Sequence, residues 1–205
     1  MTKLVRGSLV LAGCLSWCVA GHAGGDKDAM TENPKFRFWA HFKKGATSTY
    51  SQTTKFHGAE KASVPGGVEH KTITYRLLSV NKDRAVVLTT VVEKDFLSTV
   101  ESAPTRITYP AQVRKADLQA FLQEWNAKEG KDETLQIGGK DIRCKVRAGS
   151  QKIEGGTVEF KVCYSDKVPG GFVKRTRTTR EGDKVIAETT TTLVSFAEKS
   201  RKERD

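Results

Sequence analysis

Apolar and polar residues alternate with a period of two through much of the chain, which is typical of β-strands with one buried face. The first such stretch has Phe36, Phe38, Ala40 and Phe42 alternating with Lys35, Arg37, Trp39 and His41. We predict a half-buried strand there. Further strands are predicted at residues 46–56, 69–80, 85–93, 105–109, 134–137, 141–148, 157–165, 172–179 and 185–196. Short turns between them predict antiparallel pairing.

One segment has a helical period instead. Leu118, Phe121, Leu122 and Trp125 follow the i, i+3, i+4, i+7 spacing, and Gly130 is placed to end a helix. We predict that this is the principal helix and that it packs on the sheet. The chain has 22 Thr and 19 Val against 12 Leu, which favours strands over helices. The predicted fold class is therefore α+β, mostly β, in one domain at residues 35–197.

The predicted strand at 85–93 has apolar residues on both faces, because Val86 and Leu88 alternate with Val87 and Val91. A strand with two apolar faces needs cover on both of them. Two explanations stay open: loops form a second layer, or part of the sheet lines a groove that a ligand can enter.

The N-terminus has the order of charge, apolar residues and small residues that is typical of a secretory signal peptide. Lys3 and Arg6 precede the apolar run 9–20, and small residues offer a cleavage site near Ala23. We predict a signal peptide at 1–23 and a flexible lead-in at 24–34. We also predict a charged, disordered tail at 198–205. No later segment is long and apolar enough to span a membrane.

Leu11-Ala12-Gly13-Cys14 matches the lipobox of bacterial lipoproteins, in which the cysteine is acylated. Two outcomes therefore stay open for the exported protein. It is released into the periplasm after cleavage near Ala23, or it is attached to the envelope through an acylated Cys14.

Cys144 and Cys163 are candidates for a disulfide, because export to an oxidising compartment permits one. The strand pattern argues against a simple cross-strand bond. In the alternation along each strand, Cys144 shares a face with Ile142. Cys163 shares a face with Lys161 and lies on the opposite face from Val162. Matching the apolar faces of the two strands would separate the sulfurs, unless a β-bulge restores the pairing.

The formal net charge of +11 indicates a basic protein, but it does not identify a binding partner. The candidate basic patch consists of Lys167, Lys174, Arg175, Arg177 and Arg180. Few aromatics accompany it, and export disfavours nucleic acid as a partner. We find no nucleophile elbow, phosphate-binding glycine loop or spacing of metal ligands, so no catalytic residue, metal or cofactor is predicted.

Several short motifs along residues 36–196 carry a family resemblance. They are Trp39-x-x-Phe42-Lys43-x-Gly45, Thr72-x-Thr74-Tyr75-x-Leu77, Tyr109-Pro110-Ala111, Gly139-Lys140-x-Ile142-x-Cys144-Lys145 and Tyr164-Ser165-x-x-Val168-Pro169-Gly170-Gly171-x-Val173-Lys174. Together they resemble small exported bacterial proteins of the planctomycete type. These are distantly similar to the periplasmic lipoprotein-carrier proteins. The resemblance implies a curved antiparallel sheet, like a half-barrel, with a helical cap. In the carriers the concave side holds acyl chains, but no binding residue carries over to this chain.

Two functions are expected from these patterns, together with an enzyme of unrecognised type as a third class. The first is a non-enzymatic exported protein that binds a lipid, another hydrophobic or amphiphilic ligand, or an envelope partner on the curved sheet. The alternative is a structural or adhesive envelope protein whose basic face lies on anionic surface polymers. An apolar concave face distinguishes the first from the second.

Overall fold

The computed structural model describes residues 29–58, 67–94, 98–118, 124 and 127–198. Within them, most of the chain is in strands, and the α+β, mostly β fold class is confirmed. The strands are β1 (Met30–Glu32), β2 (Thr47–Phe56), β3 (Val68–Val80), β4 (Arg84–Lys94), β5 (Thr99–Glu101), β6 (Thr105–Pro110), β7 (Gln112–Arg114), β8 (Lys128–Glu129), β9 (Glu133–Ile137), β10 (Lys140–Ile153), β11 (Gly156–Tyr164), β12 (Phe172–Glu181) and β13 (Lys184–Ala197). The helix α1 is Pro34–Ala40, and a 3-10 helix is Lys115–Leu118.

Eleven strands of the described chain form one antiparallel sheet that stays open. Its order is β5-β4-β3-β2-β13-β12-β11-β10-β8, while β6 also pairs with β4 and β9 also pairs with β10. The outer edge of β4 is therefore divided between β5 and β6. In the same way, β8 and β9 divide the outer edge of β10. The two ends of the sheet do not meet, as expected for a curved sheet that is not a closed barrel.

The predicted strands from residue 46 onward are confirmed, since β2, β3, β4, β6 and β9–β13 lie within a few residues of the predicted bounds. The turn between β3 and β4 shows why the sequence was informative there. The Asn81 carboxamide oxygen accepts hydrogen bonds from the backbone N–H groups of Asp83 and Arg84, both at 2.9 Å. Such local contacts between a side chain and the backbone fix a turn without help from distant residues.

The strand predicted at 35–42 is wrong, because Pro34–Ala40 is the helix α1. Asn33 caps this helix, and its side-chain oxygen accepts a hydrogen bond from Lys35 N at 3.1 Å. Pro34 occupies the first turn, where a missing N–H costs nothing. In the helix, consecutive Phe38 and Trp39 are both buried, which a half-buried strand does not allow.

Helix α1 connects two distant parts of the sheet. Trp39 packs in a cluster with Leu77 of β3 and Val87 of β4. Phe38 packs in another cluster with Val162 of β11, and its ring stacks on Tyr164 at a centroid distance of 5.7 Å. The helix therefore lies across one face of the sheet, from β4 to β11. It supplies the cover that the apolar face of β4 requires.

Part of the predicted flexible lead-in is ordered. Met30–Glu32 forms β1, which pairs with β7. The buried Asn33 donates a hydrogen bond from Nδ2 to the carbonyl oxygen of Pro110 at 2.8 Å. The ordered domain thus begins before Lys35, the boundary expected from the sequence.

Three predictions fall wholly or mostly outside the described residues: the signal peptide with Cys14, the helix at 118–125 and the end of the charged tail. Of the helix, the structure describes Leu118, which is buried in the 3-10 helix, and Glu124, which is helical. Among the described residues no helix combines the length and apolar character that crossing a bilayer demands.

The two cysteines lie on the same face, which corrects the expected separation. Val146 is the cross-strand partner of Cys163, and Val146 and Cys144 alternate onto one face of β10. Both cysteines are buried in one cluster as free thiols. Val162 and Cys163 are both fully buried, and they belong to different clusters. The end of β11 is therefore covered on both faces. For this reason the apolar residues of β11 did not show which face carries Cys163.

Candidate functional site

A cavity of about 360 Å³ lies between α1 and the sheet. This volume is at the lower end of the range for small-molecule sites. The floor comes from β2, β13 and β12, the strands between the two places where α1 touches the sheet. The lining residues are Lys35, Phe38, Trp39, Ser48, Tyr50, Gln52, Ile73, Tyr75, Tyr109, Glu124, Tyr164, Gly170, Phe172, Arg175, Arg177 and Thr191.

Seven of the lining residues are aromatic, and they include all four tyrosines of the chain. The rings contact one another: Tyr50 lies edge-on to Tyr75 at 5.7 Å and at 5.1 Å from Phe172, both between centroids. The Tyr50 hydroxyl donates a hydrogen bond to the carbonyl oxygen of Phe172 at 2.9 Å. These contacts fix the positions of the aromatic rings in the wall.

Burial raises the pKa of each of these four tyrosines, because an apolar environment disfavours the phenolate. The pKa of Tyr109 rises to about 12. For Tyr164, the nearby Glu124 carboxylate raises the pKa further. All four hydroxyls are therefore neutral at physiological pH and keep the proton with which a phenol donates a hydrogen bond, as Tyr50 does to Phe172.

The turn between β11 and β12 closes one side of the cavity. Gly170 lines it and donates its N–H to the carbonyl oxygen of Phe38 at 3.3 Å. Gly170 and Gly171 have φ values of +82° and +72°, a conformation that favours glycine. This is the Val168-Pro169-Gly170-Gly171 motif of the sequence, and its buried Val168 anchors it in the core.

Glu124 brings two arginines of β12 together at the cavity. Its Oε2 accepts a hydrogen bond from Arg175 at 2.8 Å, and its Oε1 accepts one from Arg177. The Glu124 side chain is only 5% exposed, whereas those of Arg175 and Arg177 are 30% and 45% exposed. Arg175 also lies over the Phe172 ring at 5.0 Å. One buried carboxylate thus holds two guanidinium groups beside the aromatic wall.

The structure divides the predicted basic patch between different surfaces. Arg175 and Arg177 line the cavity, while Lys174 alternates onto the opposite face of β12. There the pKa of Glu133 is lowered by a hydrogen bond from Lys161, with a smaller contribution from the charge of Lys174. The remaining two residues are separate again. Arg180 forms an ion pair with Glu159 at 3.3 Å, and Lys167 is exposed in the turn after β11.

Sequence reasoning missed Glu124 and the tyrosines. Glu124 stands three residues after Phe121 and directly before Trp125, so a carboxylate beside an apolar stripe was the available signal. The tyrosines gave no such signal, because they come from four different strands or strand ends. In the described part of the chain, no three histidine, cysteine or carboxylate side chains gather as metal ligands. The arrangement of neutral hydroxyls, aromatic rings and arginines is suited to holding a molecule.

Comparison with known proteins adds little to this description. No protein-family model and no curated protein sequence matches the chain. A solved structure that matches is the S-type phycobiliprotein lyase CPES from Guillardia theta, at 10% identity, with 77% of this chain and 89% of that chain covered. The TM-score is 0.28, which is too low to carry an inference about fold or ligand.

Proposed function

We propose that this protein binds a hydrophobic or amphiphilic small molecule in the cavity under α1, and that it acts as a binding protein rather than an enzyme. The observation that carries the proposal is the cavity itself, whose wall is formed by seven aromatic side chains. Sites for small molecules are typically concave and mostly apolar, with a few placed polar groups. The cavity is concave and combines an aromatic wall with a comparable amount of polar surface, which suits an amphiphilic ligand better than a purely apolar one.

The aromatic wall provides the driving force for binding. A ligand that buries about 200 Å² of apolar surface gains roughly 5 kcal/mol from the hydrophobic effect. The costs of association reduce that gain, so micromolar rather than nanomolar affinity is expected. Because the aromatic rings already pack against one another, little reorganisation of the wall is required on binding.

The alternative, adhesion to anionic polymers through one basic face, has less support. It requires the basic residues to share a surface, and Lys174 and Arg175 lie on opposite faces of the sheet. We therefore favour the ligand-binding function.

The proposal includes export, with the periplasm or the envelope as the location. Its support is the N-terminal order of Lys3 and Arg6, then an apolar run, then small residues. Mass spectrometry of the protein from its own cells should find an N-terminus near Gly24 or an acylated Cys14. Intact Met1 would show that the leader is not removed.

Binding is tested by titrating a fluorescent fatty-acid probe against the purified protein. Saturable binding is expected, and Gln52→Phe should weaken it strongly by filling the cavity from its floor. The matched control is Ser51→Phe, which adds the same ring at the next position on the exposed, opposite face. No binding up to about 100 μM, equivalent to roughly −5.5 kcal/mol, would refute the proposal. So would equal binding by the two variants, once circular dichroism shows that both are folded.

A further inference from the structure

The apolar part of the cavity lining is almost entirely aromatic. Seven rings line the cavity, and Ile73 is the single aliphatic side chain among the described lining residues. Phe38 and Trp39 come from α1, whereas Tyr50 and Tyr75 come from the strands β2 and β3 of the sheet. A molecule between α1 and the sheet therefore meets aromatic rings from both sides.

The rings continue beside the charged residues of the lining. Arg175 lies over the Phe172 ring at 5.0 Å, and Tyr164 faces the same guanidinium group. Phe38 stacks on Tyr164 at a centroid distance of 5.7 Å. Because Arg175 also donates a hydrogen bond to Glu124, its guanidinium has partners within the protein and does not require a charged ligand. An aromatic surface is thus present in each part of the cavity.

Such a lining favours an aromatic ligand over an alkyl chain. Offset and edge-to-face contacts between rings add to the gain from burying their area, and each contact is equivalent to about twofold to tenfold in affinity. An alkyl chain makes no such contacts. It also loses rotational freedom when it is held in one conformation, a loss that a rigid ring avoids.

The tyrosines of the lining also offer hydrogen-bond donors. Burial is the main cause of the raised pKa of Tyr75 and Tyr109, so their hydroxyls are poorly hydrated. After burial, the charge of Tyr75 raises the pKa of Tyr109, which shows that the two side chains are close together. Neither hydroxyl makes a hydrogen bond within the described part of the chain, whereas that of Tyr50 donates to Phe172. A poorly hydrated donor without a partner favours a ligand that supplies an acceptor.

We infer that the ligand is an aromatic carbonyl compound, whose ring packs among the aromatic side chains of the cavity and whose carbonyl oxygen accepts hydrogen bonds from Tyr75 and Tyr109. This inference rests on the proposed function, since it names the class of molecule that the cavity binds. A carbonyl oxygen has two lone pairs and can accept from both hydroxyls at once.

The test compares three compounds with the same number of non-hydrogen atoms by equilibrium dialysis against the purified protein. They are 2-acetylnaphthalene, 2-isopropenylnaphthalene, in which a methylene group replaces the carbonyl oxygen, and the alkyl ketone 2-dodecanone. We expect 2-acetylnaphthalene to bind about threefold or more tightly than either of the others, because only it has both the rings and the acceptor. It is also the least hydrophobic of the three, so hydrophobicity alone predicts the reverse order.

The variants Tyr75→Phe and Tyr109→Phe remove one hydroxyl each and keep the ring. Each should weaken the binding of 2-acetylnaphthalene about twofold to tenfold and leave the binding of 2-isopropenylnaphthalene unchanged. Both variants should remain folded, because neither hydroxyl bonds to another described residue. The matched control is Tyr50→Phe, which removes a hydroxyl from the same cavity that is already engaged by Phe172. It should leave the preference for the ketone over the alkene unchanged.

The outcomes separate the two proposals. If 2-dodecanone binds as tightly as 2-acetylnaphthalene, or if the alkene does, the inference is wrong and the binding function stands. An equal loss of the preference for the ketone in Tyr50→Phe and Tyr75→Phe would show a general effect of polarity, and would also contradict the inference. If none of the three compounds binds while the fluorescent fatty-acid probe does, the class of ligand is wrong. If the probe does not bind either, the binding function itself is wrong.

Discussion

Gly171 lies so close to Phe38 that a Cβ atom on the glycine would be 2.1 Å from Cδ1 of the ring. Its φ of +72° is also unfavourable for any side chain. Gly171→Ala should therefore lower the free energy of unfolding by roughly 2–5 kcal/mol, from strain in the backbone and overpacking against the ring. Urea denaturation measures this directly.

The control for this substitution is Gly182→Ala. Gly182 also has a positive φ, +57°, but its Cβ would meet open space. Gly182→Ala should lower the free energy of unfolding by only about 1–2 kcal/mol, because only the backbone conformation is unfavourable there. Equal losses at the two positions would mean that Phe38 does not pack against the turn.

The tyrosines give a pH prediction. Because their folded-state pKa values are raised above the ordinary value near 10, the unfolded chain loses these protons first as the pH rises. The buried tyrosines contribute fully to the free energy of unfolding below about pH 10. This contribution is lost as the pH rises toward about 12, the folded-state pKa of Tyr109. The free energy of unfolding should therefore fall across this window.

Tyrosinate absorbance near 295 nm measures the titration. In native protein the four tyrosines should ionise well above pH 10, and in urea they should all ionise near pH 10. Tyr109→Phe should remove a late-titrating component from the native curve. A native titration that coincides with the titration in urea would show that the cavity wall is solvated.

Asn33 connects α1 to the sheet through two different contacts. Asn33→Ala should destabilise the protein by about 2–4 kcal/mol, because it removes the helix cap and leaves the Pro110 carbonyl without its donor. Asn33→Asp keeps the capping oxygen but places a charged oxygen against the Pro110 carbonyl in a buried position, so it should cost at least as much. If both variants unfold at the urea concentration of the wild type, Asn33 does not anchor the helix.

The thiols of Cys144 and Cys163 should resist alkylation in the folded protein. Burial raises the pKa of both, that of Cys163 to about 12, and the thiolate is the reactive form. Peptide mass spectrometry of the reduced protein after iodoacetamide treatment at pH 8 should find both unmodified in native protein and modified in urea. Rapid native alkylation at either position would contradict their burial.

The disulfide between Cys144 and Cys163 stays a prediction. The structure favours it more than the sequence pattern did, because both cysteines lie on the same face of the sheet. Non-reducing peptide mapping of protein from its own cells decides it, through a crosslinked pair of peptides from β10 and β11. Two separate peptides with alkylated thiols would rule it out.

The sequence predicted the strands well because their signals are local. Asn81 and the glycines of the tight turns mark the ends of strands, and alternation fills the interval between them. Helix α1 was missed for a related reason: the alternation of Phe36 and Phe38 fits a strand, and it outweighed the start signal at Asn33-Pro34. A helix of seven residues offers too few turns for its period to dominate.

The cavity could not be predicted from local sequence patterns. Tyr50 and Tyr164 are more than a hundred residues apart, and only the strand order brings them to one space. The basic cluster on β12 was recognised, but the alternation along that strand separates Lys174 from Arg175. The position of Arg175 at the cavity depends on its hydrogen bond with Glu124, which lies 51 positions away in the sequence.

The divided outer edges of β4 and β10 have a consequence for solubility. A long strand at the edge of a sheet presents an uninterrupted row of N–H and C=O groups, on which another chain can add and begin to aggregate. Here the outer flank of each long strand is occupied by two short segments, β5 and β6 at one end and β8 and β9 at the other. The exposed flanks of these segments are brief, between two and six residues long. An open sheet can thereby keep the cavity under α1 accessible without offering a template for fibrils.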